Sequence, residues 1–223
     1  LATRILETRR QRFIALTLIA IAVPCMAQSS IIFSLVGRFG AKALMKVYSV
    51  LFVVWVLLGL LLNKLLKGSS PELFLEIPPY RLPYGKAVLK KLWIRIKWFL
   101  KDAVPYVLLG VLIANTLYVS GFIHFLDRIS SPLVVGWLGL PEEAVVGLFT
   151  GFLRKDIATG MLLPVGLNEK QSVVASVVLS MYFPCMATFV VMLKELGLID
   201  TIKATSLMMV IAFTIGGLVN LLF

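Results

Sequence analysis

The sequence predicts an all-α membrane protein, a polytopic bundle of transmembrane helices. Of its 223 residues, 60% are hydrophobic and only 15% are charged, and the mean hydropathy is +0.97. Soluble domains carry about a quarter charged residues. A helix needs about 20 apolar residues to cross a bilayer core. Uncharged runs near that length are 13–37, 47–63, 103–126, 172–193 and 204–223. The lipid bilayer is therefore the first expected partner.

The net charge of +11 reflects 22 basic and 11 acidic residues. In a membrane protein such an excess is explained by anionic lipid headgroups and cytoplasmic loops, so we predict no nucleic-acid partner. Two cysteines do not make a disulfide framework. The chain has no phosphate-cradling glycine loop, zinc-protease motif, Cys-x-x-Cys pair or nucleophile elbow. These patterns predict no enzyme and no catalytic residue.

Breaks in the hydrophobic pattern divide the chain into four parts. The first and last parts each predict two transmembrane helices, and the first helix, about 13–36, has a proline in its middle. A proline-rich linker with a basic segment follows the first part. The third part predicts one transmembrane helix and then a broken or re-entrant region. The boundaries are 1–66, 67–102, 103–170 and 171–223.

The segment 86–101 is basic and amphipathic. Its apolar residues recur at helical spacing, and lysines fill most of the opposite face. This pattern is typical of a helix that lies in the membrane interface. A cytoplasmic extension of the next transmembrane helix is the alternative. The candidate interface residues are Trp93, Trp98, Lys90 and Lys97.

Residues 127–170 contain three uncharged runs that are each too short to span the membrane. Prolines and glycines interrupt them, and such broken segments are typical of transport sites. Asp156 follows Arg154 and Lys155 between two of these runs. It is a candidate pathway carboxylate, and an ion pair or a solvated surface is the alternative. A loop beside one kinked helix is the alternative for the whole region.

The four letters Pro-Cys-Met-Ala occur twice, 160 positions apart, and contain both cysteines. At the same shift Gln11 matches Gln171 and Ala15 matches Ala175. The match predicts an internal repeat, as in many secondary transporters. Whether the two copies run parallel or antiparallel depends on how often 127–170 crosses the membrane. The sequence leaves that open.

A proline inside a helix removes one N–H donor and frees the carbonyl four residues earlier. Pro24 is expected to free the carbonyl of Ala20, and Pro184 that of Ser180. A freed carbonyl at membrane depth needs a partner, such as a hydroxyl, another helix, water or an ion. Each proline therefore predicts a helix kink with polar backbone beside sulfur.

The sulfur atoms belong to Cys25, Met26, Cys185 and Met186. Thiolate and thioether ligands suit soft and borderline cations, including Fe(II). Three interpretations remain open on this chemistry: a kink with ordinary packing of small buried thiols, a cation site, and a redox thiol pair.

Several stretches together resemble the membrane domain of the FeoB family of prokaryotic ferrous-iron transporters. "VPCMAQSS" and "YFPCMATFVVMLKELG" are similar to its two Gate motifs, which are nucleoside-recognition-like. "FLEIPPYRLP" at 74–83 resembles the family's linker. "VVGLFTGFLRKDIATG" at 145–160 resembles a segment where the family often has Lys-Glu. The family's GTPase domain, its helical spacer and its earlier membrane helices have no counterpart here.

The resemblance implies Fe2+ import across the inner membrane under the control of GTP. It implies that Cys25 and Cys185 are the pore cysteines, with Fe2+ as the transported substrate. No cofactor is expected in this chain, since GTP and Mg2+ would bind a missing GTPase domain or subunit. A homo-oligomer is compatible with this arrangement. The alternatives are a nucleoside-recognition-type transporter or assembly factor, a membrane thiol redox protein, and a membrane anchor for a GTPase.

Overall fold

A computed structural model describes residues 8–66, 84–119, 134–153, 155–184 and 186–222 of the chain. These residues form α-helices joined by short turns, and no strand is found among them. The helices are α1 Arg9–Ala22, α2 Met26–Val36, α3 Ala41–Leu65, α4 Gly85–Val119, α5 Glu142–Leu153, α6 Lys155–Leu162, α7 Glu169–Met181, α8 Met186–Leu196 and α9 Leu198–Leu222.

Within the described residues, three helical stretches are long and apolar enough to cross a membrane: Arg9–Phe39, Ala41–Leu65 and Leu198–Leu222. The last two are the unbroken helices α3 and α9, of 25 residues each. At 1.5 Å per residue each is about 37 Å long, which exceeds a hydrocarbon core of about 30 Å. The prediction of an all-α, multi-pass membrane bundle is confirmed.

The predicted first span of about 13–36 is two helices, not one kinked helix. Helix α1 ends at Ala22, and Val23 is extended with ψ 102°. Cys25 is extended too, with ψ 173°, and α2 begins at the next residue. The predicted span around Pro184 is divided in the same way, because α7 ends at Met181 and α8 begins at Met186. A proline that only kinks its helix was the expectation. Here the chain leaves the helix altogether.

The two divided helices run in opposite directions. At one end of the bundle the Arg9 side chain lies 3.6 Å from Asp200 and donates to the carbonyl of Leu196. The start of α1 therefore lies beside the junction of α8 and α9. At the other end Lys46 Nζ lies 2.7 Å from Glu169 Oε1, so the start of α3 lies beside the start of α7. The orientation that the sequence left open is thus antiparallel.

Helix α7 is the centre of the bundle. Residues 172–181 are all buried, and the helix packs against α1, α2, α3, α5 and α9. Glycines allow the close approaches. A Cβ on Gly216 of α9 would lie 2.5 Å from Val178 Cγ2, and one on Gly151 of α5 would lie 2.7 Å from Leu179 Cδ2. A stretch without a charged side chain from 172 to 181 is suited to this burial.

Helices α5 and α6 form a hairpin that enters and leaves at the same end of the bundle. Just before α5, the Gly139 carbonyl accepts a hydrogen bond from Gln171, near the start of α7. Just after α6, the Leu167 carbonyl accepts one from Arg38. With 12 and 8 residues the two helices are only about 18 and 12 Å long. The turn between them therefore lies inside the bundle, between its two ends.

The basic segment 86–101 is not a separate helix. It is the first half of α4, which continues through Pro105 for 35 residues. Of the two predicted arrangements, the structure favours the extension of the next helix. The second half of α4 covers part of the predicted span 103–126, whose remainder lies outside the described residues.

Candidate functional site

The site is built where the two divided helices are interrupted. We call residues 23–25 the first break, and residues 182–185, of which 182–184 are described, the second break. Each break follows a first half of 14 or 13 residues and precedes a second half of 11. Both breaks therefore lie well inside the bundle, away from the ion pairs at its ends.

Gln28 joins the two breaks. Its side chain is only 6% exposed. Its Oε1 accepts the N–H of Cys25 at 2.8 Å, and its Nε2 donates to the carbonyl of Ser180 at 2.8 Å. Pro184 has no N–H to offer that carbonyl, so the bond from Gln28 replaces the missing helical one.

Sequence reasoning identified the Ser180 carbonyl but missed its partner. The available signal was the position of Gln28, three residues after the N-cap residue Cys25. A glutamine there commonly accepts the N–H of the N-cap residue. Its remaining amide protons are then free to reach a second helix, and only the fold identifies that helix.

The sulfur atoms of the first break lie on the surface of the chain. Cys25 is a free, exposed cysteine, and the Met26 side chain is 89% exposed. Among the described residues, Cys25 is therefore not packed in an apolar core. Cys185 lies outside the described residues, and Met186 begins α8 with a side chain that is not described.

The prolines of the two breaks have different surroundings. Pro184 is buried, whereas Pro24 is partly exposed. Ala20 packs against a small cluster that includes Leu16 of α1 and Met192 of α8. The carbonyl that Pro24 frees thus belongs to a residue at the contact of the two divided helices.

Helix α5 of the hairpin contacts the second break. The Tyr182 hydroxyl donates to the Leu148 carbonyl of α5 at 2.6 Å. Lys155 begins α6 and is 5% exposed, so a basic residue is buried at this depth. Asp156 follows it in α6, and its side chain lies outside the described residues.

The candidate interface residues are far along the chain from both breaks. Trp93 and Trp98 are 68% and 63% exposed, and Lys90 and Lys97 are exposed too. All four belong to the first half of α4. Among the side chains that the structure describes, no three of His, Cys, Asp or Glu lie together as a metal-binding group. A cation at the breaks would need backbone carbonyls in addition to sulfur.

Two family models match the chain. The model described as "Nucleoside recognition", named Gate, matches residues 100–199. The model described as "Ferrous iron transport protein B C terminus" matches residues 44–95. The first match contains the second break, and the second match contains most of α3 and the start of α4.

Curated relatives point to the same family. A protein of Methanocaldococcus jannaschii named "Fe(2+) transporter FeoB" is 25% identical over 264 residues, covering 100% of this chain and 39% of that protein. Proteins of the same name from Escherichia coli K12 and Salmonella typhimurium are each 29% identical over 147 residues, covering 56% of this chain and 18% of theirs.

The chain thus spans well under half the length of these relatives. No solved structure matches it. The two family models and the curated relatives together support a likeness of this chain to the C-terminal membrane part of the FeoB family.

Proposed function

We propose that this chain lines part of the Fe2+ pathway of a transporter in the cytoplasmic membrane, and that the two breaks form its constriction. The observation that carries the proposal is the bond from Gln28 to Ser180, which joins two antiparallel divided helices at their breaks. Transporters commonly bind substrate and coupling ions where helices are discontinuous, near the middle of the membrane. The names of the relatives supply the substrate.

The chemistry of the breaks suits a divalent cation. Helices α1 and α7 both end there, and the carbonyls at a helix C-terminus carry a partial negative charge. Cys25 follows the end of α1 by three residues, and its thiol is a suitable ligand for Fe(II) once deprotonated. We propose Cys25 and Cys185 as ligands, with Met26, Met186 and Asp156 in supporting positions along the path.

We further propose that 1–66 and 171–223 are inverted repeats. Both contain a divided helix followed by a glycine of positive φ, Gly40 or Gly197, and then a 25-residue helix. Between them the α5–α6 hairpin turns back without crossing the bundle. An inverted pair exposes equivalent breaks to opposite sides of the membrane, which suits alternating access.

Control by GTP belongs, in this proposal, to a GTPase domain or subunit outside this chain. The name of the Gate model favours nucleoside recognition as the second candidate function. The two candidates differ in what is transported. Radiolabelled nucleoside and 55Fe2+ should therefore be offered to the same proteoliposomes.

The test is anaerobic Fe2+ uptake into proteoliposomes that contain the full-length protein. Cys25→Ser and Cys185→Ser should each lower uptake strongly, and Met26→Leu should lower it partially. Met45→Leu is the matched control, because Met45 is also exposed but lies in α3 near the end of the bundle. Unchanged uptake in both cysteine variants would contradict the proposal, and so would uptake of nucleoside in place of Fe2+.

A further inference from the structure

We propose that the Gln28 amide is an internal substitute for the permeating cation: it covers the Ser180 carbonyl at rest and must leave when an ion arrives. This inference rests on the proposed Fe2+ pathway. The starting observation is the carbonyl oxygen of Ser180. It has no helical donor because Pro184 lacks an N–H, and Gln28 Nε2 donates to it at 2.8 Å. That oxygen is buried, because Ser180 is only 2% exposed.

The amide group and a cation need the same oxygen. The NH2 group is the positive end of the amide dipole, and its hydrogens point at the carbonyl as a cation would. A cation bound to that carbonyl would be repelled by these hydrogens at short range, and burial strengthens the repulsion. Ion binding at Ser180 therefore requires the Gln28 amide to turn or withdraw.

Turning the amide also changes the first break. Gln28 Oε1 holds the N–H of Cys25 at 2.8 Å, so the amide cannot rotate without releasing that N–H. After rotation Oε1 would face Ser180 and could serve as a second oxygen ligand. Release of the Ser180 carbonyl is thereby coupled to the start of α2, where the exposed Cys25 thiol is located. Gln28 is thus a positioning residue for both breaks.

A second glutamine offers a matched control. Gln171 Oε1 accepts the N–H of Asn168 at 3.2 Å, and its Nε2 donates to the carbonyl of Gly139 at 3.2 Å. The arrangement repeats that of Gln28: a cap near a helix start and a bond to a distant carbonyl. Gln171 lies at the end of the bundle, however, and Gly139 is not four residues before a proline.

The experiment measures 55Fe2+ binding to the purified full-length protein by anaerobic equilibrium dialysis. Gln28→Glu keeps the shape of the side chain and replaces the competing donor with an acceptor of negative charge. It should bind Fe2+ about tenfold more tightly or more, and it should release the ion slowly, so that uptake falls. Gln171→Glu should bind as the wild type does. Damage to the fold alone would not raise the affinity.

Gln28→Glu that stays folded but binds Fe2+ no more tightly than the wild type would overturn the proposal. If that variant does not fold, Gln28→Leu decides, because it removes the donor without adding a charge or a sulfur ligand. It should bind at least as tightly as the wild type, and weaker binding would overturn the proposal. Wild-type protein that neither binds nor transports Fe2+ would contradict the proposed function as well. If the wild type transports Fe2+ but the Gln28 variants do not bind Fe2+ as expected, only the Gln28 proposal is contradicted and the proposed function stands.

Discussion

The two breaks share four letters, yet the fold gives them different surroundings. Helix α7, which leads to the second break, is buried at every position from 172 to 181. Helix α1, which leads to the first break, has only four buried residues among its 14. The proline and the capping residue produce a break locally. The topology decides whether that break is covered.

Because α7 is buried and α1 is mostly not, the two divided helices have different roles in the bundle. The second is the scaffold, because five other helices, including α5 of the hairpin, pack against α7. The first brings a thiol to the surface of the chain. The motif that occurs twice therefore gives one break at the end of a buried helix and one break with an exposed thiol. Gln28 connects the two breaks.

Labelling of Cys25 gives the largest expected effect. In a Cys185→Ser background, a small maleimide should modify Cys25 of the detergent-solubilised full-length protein nearly completely, because this thiol is exposed. Mass spectrometry measures the extent. Cys25→Ser in the same background is the control for modification elsewhere. A Cys25 that reacts only after unfolding would mean that the first break is covered like the second.

The contact of α7 with α9 should be sensitive to added volume. Gly216→Ala would put a Cβ 2.5 Å from Val178 Cγ2 and 2.7 Å from Leu138 Cδ2. Overpacking of this kind costs about 1–3 kcal/mol. The thermal midpoint of the full-length protein, followed by size-exclusion chromatography in detergent, should fall.

The matched control is Gly160→Ala in α6, where a Cβ would meet nothing within 4 Å. Alanine is a better helix former by about 1 kcal/mol, so this variant should be as stable as the wild type or more so. If both glycine variants lower the midpoint equally, α7 is not the tightly packed centre.

The hydroxyl of Tyr182 ties the hairpin to the second break. Tyr182→Phe removes its bond to the Leu148 carbonyl, which should cost about 1 kcal/mol. The thermal midpoint should fall slightly, and protease should cut more readily near the turn of the hairpin. Tyr48→Phe in α3 is the control, since the Tyr48 ring packs against Phe33 whether or not the hydroxyl is present. Equal effects of the two variants would argue against the hairpin contact.

The ion pairs at the two ends should contribute least. Lys46→Gln removes the partner of Glu169, and Arg9→Gln removes that of Asp200. Partly exposed pairs contribute about 0–1 kcal/mol. Chemical denaturation should show small losses at low salt and smaller ones at high salt. The reversed pair, Lys46→Glu with Glu169→Lys, should recover the loss, and a failure to recover would mean that the pair does not form.

Much of the fold follows from the sequence because apolar length and proline position act locally. The unbroken helices α3 and α9 follow from uncharged runs, and both interruptions follow from Pro24 and Pro184. Helix α4 continues past residue 102, which is one of the two arrangements that the sequence left open for 86–101. The charged residues of this segment end near residue 102, but the residues that follow still favour a helix. Pro105 is accommodated within that helix.

The site was less predictable, because it depends on contacts between distant residues. The antiparallel orientation depends on whether 134–168 crosses the bundle, and no local pattern decides that. The role of Gln28 depends on its contact with Ser180, 152 positions away. The exposure of Cys25 depends equally on what packs around α1. The residue types predicted sulfur and carbonyl ligands. Only the fold shows that Gln28 covers one of those carbonyls, that of Ser180.

The central claim is that Fe2+ meets cysteine sulfur at the two breaks. The most direct measurement is X-ray absorption at the iron K-edge on the full-length protein loaded anaerobically with Fe2+. We expect sulfur scatterers in the first coordination sphere, together with oxygen, and a loss of sulfur in Cys25→Ser and in Cys185→Ser. A coordination sphere of oxygen and nitrogen alone, unchanged by both substitutions, would contradict it.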